Sequence, residues 1–134
     1  MLNVMSTRGR DATRIMVADD DPLIRTVLRF ALEGAGYEVA VTDSGDGVIA
    51  ATAVEAPDLI ILDARMPGPG LSTTLATLRL SRVPVLVLSG DEIVAKGTVT
   101  PGLAYLTKPV DMDELLSTIA LLLSGATHSA PTND

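Results

Sequence analysis

Four short stretches of the 134-residue chain end apolar runs in side chains able to do chemistry. "VADDDP", residues 17–22, sets Asp19, Asp20 and Asp21 behind "IMVA"; "DLIILD" ends in Asp63; "VPVLVLS" ends in Ser89; "YLTKPVD" carries Lys108 ahead of Pro109. Like charges about 4 Å apart repel by roughly 1 kcal/mol in water and by several times that in a partly buried site. A strand ending in three aspartates therefore calls for a counter-charge. A hard divalent cation such as Mg²⁺ takes oxygen ligands and usually combines one or two carboxylates with phosphate oxygens. Carboxylates, a hydroxyl and an ammonium in one place are the inventory of phosphoryl transfer, which needs alignment and positive charge more than covalent help. Each residue alone has a plainer role: Asp21 before Pro22 as a helix cap, Lys108 as a surface cation, Ser89 as a common strand end.

Whether these groups meet depends on the elements between them. The runs "RIMVA" (14–18), "YEVAV" (37–41), "DLIILD" (58–63), "VPVLVLS" (83–89) and "LAYL" (103–106) read as five strands separated by helical patterns. The first, third and fourth are apolar on both faces, as in a parallel sheet covered by helices on each side. A first helix starts at Pro22, with Leu23, Ile24, Val27, Leu28, Ala31 and Leu32 as one apolar stripe, and Gly34 and Gly36 stop it. A second runs from about Gly47 to Glu55, and Leu71, Leu75 and Leu78 mark a third. The last opens with Asp111 as cap and Glu114 three residues on, then buries Leu115, Leu116, Ile119, Leu122 and Leu123. Before it, "GDEIVAKGTVTPG" combines Gly97, β-branched residues 98–100 and Pro101, so any fourth helix there is short or frayed. Alternating β and α segments imply right-handed crossovers and a doubly wound sheet, whose ligand sites lie at the carboxyl ends of the strands. All four chemical stretches end there.

Composition narrows the possibilities. A chain of one-domain size, 47% hydrophobic with formal net charge −7, fits a globular domain and not a nucleic-acid surface, where basic stripes are expected. The absence of cysteine excludes disulfides and thiolate metal sites. No apolar stretch approaches the roughly 20 residues of a membrane span, and the first residues lack a signal peptide's apolar centre, so a cytoplasmic location without membrane contact is expected. Polar, unpatterned ends set the expected boundaries: a flexible leader over 1–13, a folded domain over 14–123 and a flexible tail over 124–134. The one histidine, His128, lies in that tail, where a solvated side chain is expected.

With these residues in order, the chain resembles the receiver domains of two-component response regulators. The resemblance runs from Arg14 to Leu123 and rests on "IMVADDDPLIR", "PDLIILDARMPG", "VPVLVLSG" and "YLTKPVD", in the family's order and close to its spacing. It implies a flavodoxin-like α/β fold: a five-stranded parallel sheet of order 2-1-3-4-5 flanked by helices. By the same resemblance Asp63 matches the phosphoacceptor, and Asp19 and Asp20 match the acidic pair that, with Asp63, holds Mg²⁺. Asp20 is the implied direct ligand and Asp19 acts through water, while Arg65 matches the position that offers its backbone carbonyl to the metal. Ser89 matches the hydroxyl that turns to the phosphoryl group, Lys108 the ammonium that pairs with it, and Tyr105 the aromatic that moves inward on activation. Pro109 matches the proline after the lysine, where the peptide bond is usually cis. The implied partners are a sensor histidine kinase or histidine phosphotransfer protein as donor and a downstream protein as target. The implied molecule is a monomer or weak dimer, a switch that catalyses only its own phosphorylation and dephosphorylation.

Two rivals draw on the same residues. A haloacid dehalogenase-type phosphatase would use Asp19 as nucleophile and Asp21 as acid; Pro22 directly after the pair, the small size and the placement of Asp63 speak against it. A receiver-like module that binds partners without phosphorylation is the other, and the intact residue set speaks against that. "MPGPGLSTT" looks like a glycine-rich phosphate loop but lacks the lysine and the third glycine of the nucleotide motifs, so no nucleotide site is expected. The chain departs from the family in that loop, which lacks an acidic residue and is one residue short, and between Ser89 and Tyr105, which is several residues short. Gly90 stands where alanine is commoner.

Overall fold

The computed structural model of the protein describes residues 12–90, 99–100 and 102–125. Its elements are β1 (Arg14–Ala18), α1 (Pro22–Gly34), β2 (Glu38–Thr42), α2 (Gly45–Val54), β3 (Leu59–Asp63), α3 (Leu71–Leu78), a 3₁₀ turn (Arg79–Ser81), β4 (Val85–Ser89), β5 (Val99–Thr100), β6 (Leu103–Thr107) and α4 (Met112–Ser124). The sheet order is β2-β1-β3-β4-β6-β5. Its first five strands are mutually parallel in the expected flavodoxin-like order, and β5 adds an antiparallel edge pairing Val99 with Ala104 and Thr100 with Leu103. That short edge strand was not expected; it uses β-branched residues, and Gly102 at φ +79° supplies the left-handed conformation of the tight return into β6. The expected short or frayed helix falls largely on residues 91–98, which lie outside the described residues, as do leader residues 1–11 and tail residues 126–134.

Apolar runs on both faces of the central strands build two cores. Ile15, Val17, Leu59, Ile61, Leu86 and Leu88 point to one side and are covered by Leu28 and Leu32 of α1 and Leu115, Ile119 and Leu122 of α4. The alternate residues, Met16, Ala18, Ile60, Leu62, Val85 and Val87, meet Val48 of α2 and Leu78 of α3 on the other. Burial on both faces is what a continuous apolar strand is for.

Caps fix where the helices begin. Asp21 Oδ1 accepts from Leu23 N at 2.9 Å with Pro22 in the first turn, and Asp111 Oδ1 accepts from the amides of Asp113 and Glu114. The apolar stripe of α1 is not all core: Leu28 and Leu32 are buried, but Leu23 is 68% and Val27 46% exposed. At 3.6 residues per turn Leu23 and Val27 share a second line with Phe30, which is 71% exposed, so α1 carries one apolar face for the sheet and another for solvent.

Candidate functional site

Strand register brings the chemical residues to one edge. Ala18 pairs with Leu62, so Asp19 and Asp63 follow side by side at the ends of β1 and β3. Asp63 pairs with Leu88, one residue before Ser89, and Ser89 pairs with Thr107, one residue before Lys108. Lys108 N donates to Ser89 O at 2.8 Å, continuing that ladder, and the Lys108–Pro109 peptide is cis as the resemblance implies.

The side chains close the arrangement. Lys108 Nζ donates to Asp63 Oδ1 at 3.0 Å and to Asp19 Oδ2 at 3.4 Å. Asp19, 1% exposed, also accepts from Asp21 N at 2.9 Å through Oδ1, and Asp63, 6% exposed, accepts from Arg65 N at 3.3 Å. Asp20 is exposed at the mouth, and carboxylate oxygens of Asp19, Asp20 and Asp63 lie within 4.8 Å of one another. Asp21 stays out of this set because its carboxylate is spent on the α1 cap. Such a donor set, all oxygen with one member open to solvent, suits a hard divalent cation and not a soft one.

Burial raises the Asp19 carboxyl above its ordinary value of 3.8; the Asp21 amide opposes this, the Asp63 charge adds to it, and Lys108 offsets only part. For Lys108 burial alone would lower the ammonium, but its hydrogen bond and charge contact with Asp63, then those with Asp19, raise it above 10.5. The signs differ in consequence. Ionised Asp19 costs the fold stability at every pH above its raised folded value, and the cost fades as pH falls toward 3.8. The Lys108 contribution is complete below pH 10.5 and is lost as pH rises through its higher folded value. Asp19→Asn in chelator should therefore unfold at higher urea than the parent at pH 7, with the gap closing toward pH 3.8. A lower midpoint at pH 7 would contradict this.

Three expected residues sit further from the carboxylates or contribute differently. Tyr105 is half-buried on β6 opposite Val87 and packs on the α2–α3 side of the sheet. The Arg65 side chain is exposed, and its N–H is what reaches Asp63. Ser89 is buried at the end of β4.

Other residues that shape the site went unflagged in the sequence. Arg25 Nη1 donates to the Asp19 carbonyl at 2.7 Å. Its signal was its place at the close of the first turn of α1, since helical side chains lean back toward the N-terminus. Buried Thr74 donates through Oγ1 to Pro69 O at 3.4 Å and anchors the loop after Asp63. Gly45 leaves room for that loop: a Cβ there would lie 2.9 Å from Thr74 Oγ1. Only the absence of a side chain records that fit.

A doubly wound parallel sheet with an acidic pocket and a lysine at its carboxyl edge is the architecture of a signalling receiver. Residues 15–120 match the response regulator receiver domain family, and the chain belongs to that family, a module of two-component systems. It is 34% identical over 117 residues to the transcriptional regulatory protein PdtaR of Mycobacterium tuberculosis, covering 83% of this chain and 57% of that protein. It is 36% identical over 115 residues to the DNA-binding transcriptional regulator NtrC of Rhizobium meliloti, covering 82% of this chain and 24% of NtrC. The chain thus spans between a quarter and about half of these curated relatives. Among solved structures, the response regulator TrrA of Thermotoga maritima in complex with Mg²⁺-BeF aligns with a TM-score of 0.73 at 26% identity, over 82% of this chain and 98% of that one. Among the described residues no helix is long and apolar enough to cross a membrane.

Proposed function

We propose that the protein is a phosphoacceptor switch: a phosphoryl group passes from a partner's phosphohistidine to Asp63 and changes a protein-binding surface. The observation that carries this is Lys108 Nζ bridging Asp63 and Asp19 at 3.0 and 3.4 Å, with Asp20 open beside them. A carboxylate oxygen of Asp63 attacks phosphorus, the phosphorus–nitrogen bond breaks, and its electron pair returns to the imidazole of the donor. Lys108 gives up part of its hold on Asp63 to meet the oxygens of the arriving group, an exchange that needs fixed positive charge and little else. Asp20, Asp63 and the Arg65 carbonyl, with Asp19 behind them, would hold Mg²⁺, which supplies further positive charge to those oxygens when bound.

The product carries a charge of about −1.5 to −2 on three acceptor oxygens. Ser89, at the adjacent strand end, would turn its hydroxyl to that group, and Tyr105 on the neighbouring strand would follow by repacking inward. A population shift of this surface is the output. The donor would be a sensor histidine kinase or phosphotransfer protein in the cytoplasm. Leu23, Val27 and Phe30 offer it an apolar line at helical spacing, beside a groove of about 220 Å³ that runs to Lys108 and Pro109. A protein helix fits such a line.

The phosphatase alternative needs Asp21 as a free acid, and that carboxylate caps α1. Incubation with acetyl phosphate separates the two. A switch gains covalent phosphate in Mg²⁺ and none in chelator, with no sustained release of nitrophenol from p-nitrophenyl phosphate. Sustained turnover of that ester without a modified protein would overturn the proposal.

A further inference from the structure

Asp19 is held on every side. Its N–H donates to Thr42 O at 3.1 Å, its Oδ1 accepts from Asp21 N at 2.9 Å, and its Oδ2 accepts from Lys108 at 3.4 Å. Its carbonyl is the exception in kind. The ladders of β1 end at Ala18, paired with Thr42 on one side and Leu62 on the other, so the Asp19 carbonyl has left the sheet at a residue that is 1% exposed. A buried carbonyl without a ladder partner needs another donor. Arg25 Nη1 is that donor, at 2.7 Å, the shortest hydrogen bond described at the site. The contrast with Arg29, one turn on, is plain: Arg29 pairs with Glu33 at 3.2 Å as two half-exposed side chains, an ordinary surface contact.

We infer that Arg25 is a positioning residue for the acidic pocket: its guanidinium clamps the Asp19 carbonyl and so sets where the Asp20 carboxylate is presented. Asp20 is the one member of the cluster that is exposed and has no described hydrogen bond of its own, so its place follows from the peptide that carries it. Without Arg25 the Asp19 carbonyl must find water. The turn from Asp19 to Asp21 moves outward to do so, and the oxygens of Asp20 and Asp63 part. The inference rests on the reading of this pocket as a divalent-cation site.

Charge and position make opposite predictions here. If Arg25 acted only as a nearby cation, its removal would strengthen Mg²⁺ binding, because one positive charge fewer would repel the ion. As a clamp, its removal weakens binding. Arg25→Met keeps an unbranched apolar stem and removes both charge and donor; Arg25→Lys keeps a cationic donor on a stem one atom shorter than the guanidinium's reach.

Isothermal titration of Mg²⁺ into the folded chain, with melting curves in chelator as the control for folding, decides between them. The expected result is about tenfold weaker binding in Arg25→Met, the loss typical of a partner that orients a metal ligand, and binding within about twofold of the parent in Arg25→Lys. Arg25→Met binding as well as or better than the parent would overturn the clamp and leave the cation site standing. Weakening in both variants alike would also overturn it, since the retained donor would then have no effect. Absence of Mg²⁺ binding by the parent would overturn the site and the clamp together.

Discussion

Asp63→Asn is expected to fold, to keep its place against Lys108, and to lose phosphoryl acceptance to about a thousandth of the parent's rate or less, the scale seen when a nucleophile is removed. The carboxamide has the shape of the carboxylate, so a site that is 6% exposed accepts it without a cavity. The chemistry does not survive. An amide oxygen carries no full negative charge, and attack through it would leave a cation beside Lys108 and the incoming metal. The substitution also removes one of three carboxylates crowded within 4.8 Å, so the metal-free fold should not suffer from the change. Incorporation of radiolabel from acetyl phosphate in Mg²⁺ measures this, with the melting temperature in chelator confirming the fold. Labelling near the parent's level would place the acceptor elsewhere.

Lys108→Met should separate binding from chemistry. The ammonium touches Asp63 at 3.0 Å and Asp19 at 3.4 Å, and its side chain is only 26% exposed. Removing one preorganised donor to developing charge typically costs about 10²–10³ in rate, and that is the expected loss in the initial rate of labelling at saturating Mg²⁺. Mg²⁺ affinity should hold or rise, because a competing cation has gone. The metal-free chain should melt lower, with Asp19 and Asp63 left facing each other unscreened. Equal losses in Mg²⁺ binding and labelling would mean that Lys108 shapes the pocket and does not serve the transferring group.

Much of this arrangement could be foreseen from residue types, and the exceptions have physical causes. The strands of the two-sided core announce themselves because burial on both faces forces continuous apolar runs such as Leu59–Leu62, and the caps at Asp21 and Asp111 are chemically distinct. Once the strands are aligned in parallel, the site residues fall at their ends by register alone. Leu23 and Val27 share an apolar stripe with Leu28 and Leu32 in the sequence, but hydrophobicity reports only that a side chain avoids water; it does not say whether the sheet or another protein does the covering. The edge strand at Val99–Thr100 was missed because two residues have no period. Arg25 was missed because its partner is a backbone carbonyl, which every residue possesses, and the loop seat at Gly45 because a required absence of atoms leaves only a glycine among eleven.

In the proposed function the phosphoryl group ends on one atom group, the Asp63 carboxylate. Treatment with acetyl phosphate and Mg²⁺, followed by borohydride reduction of the acyl phosphate to an alcohol and peptide mass spectrometry, reads that position directly. The expected result is a single reduced residue at position 63, dependent on Mg²⁺. Reduction at Asp19 or Asp20, or phosphate found only on His128, would contradict the account.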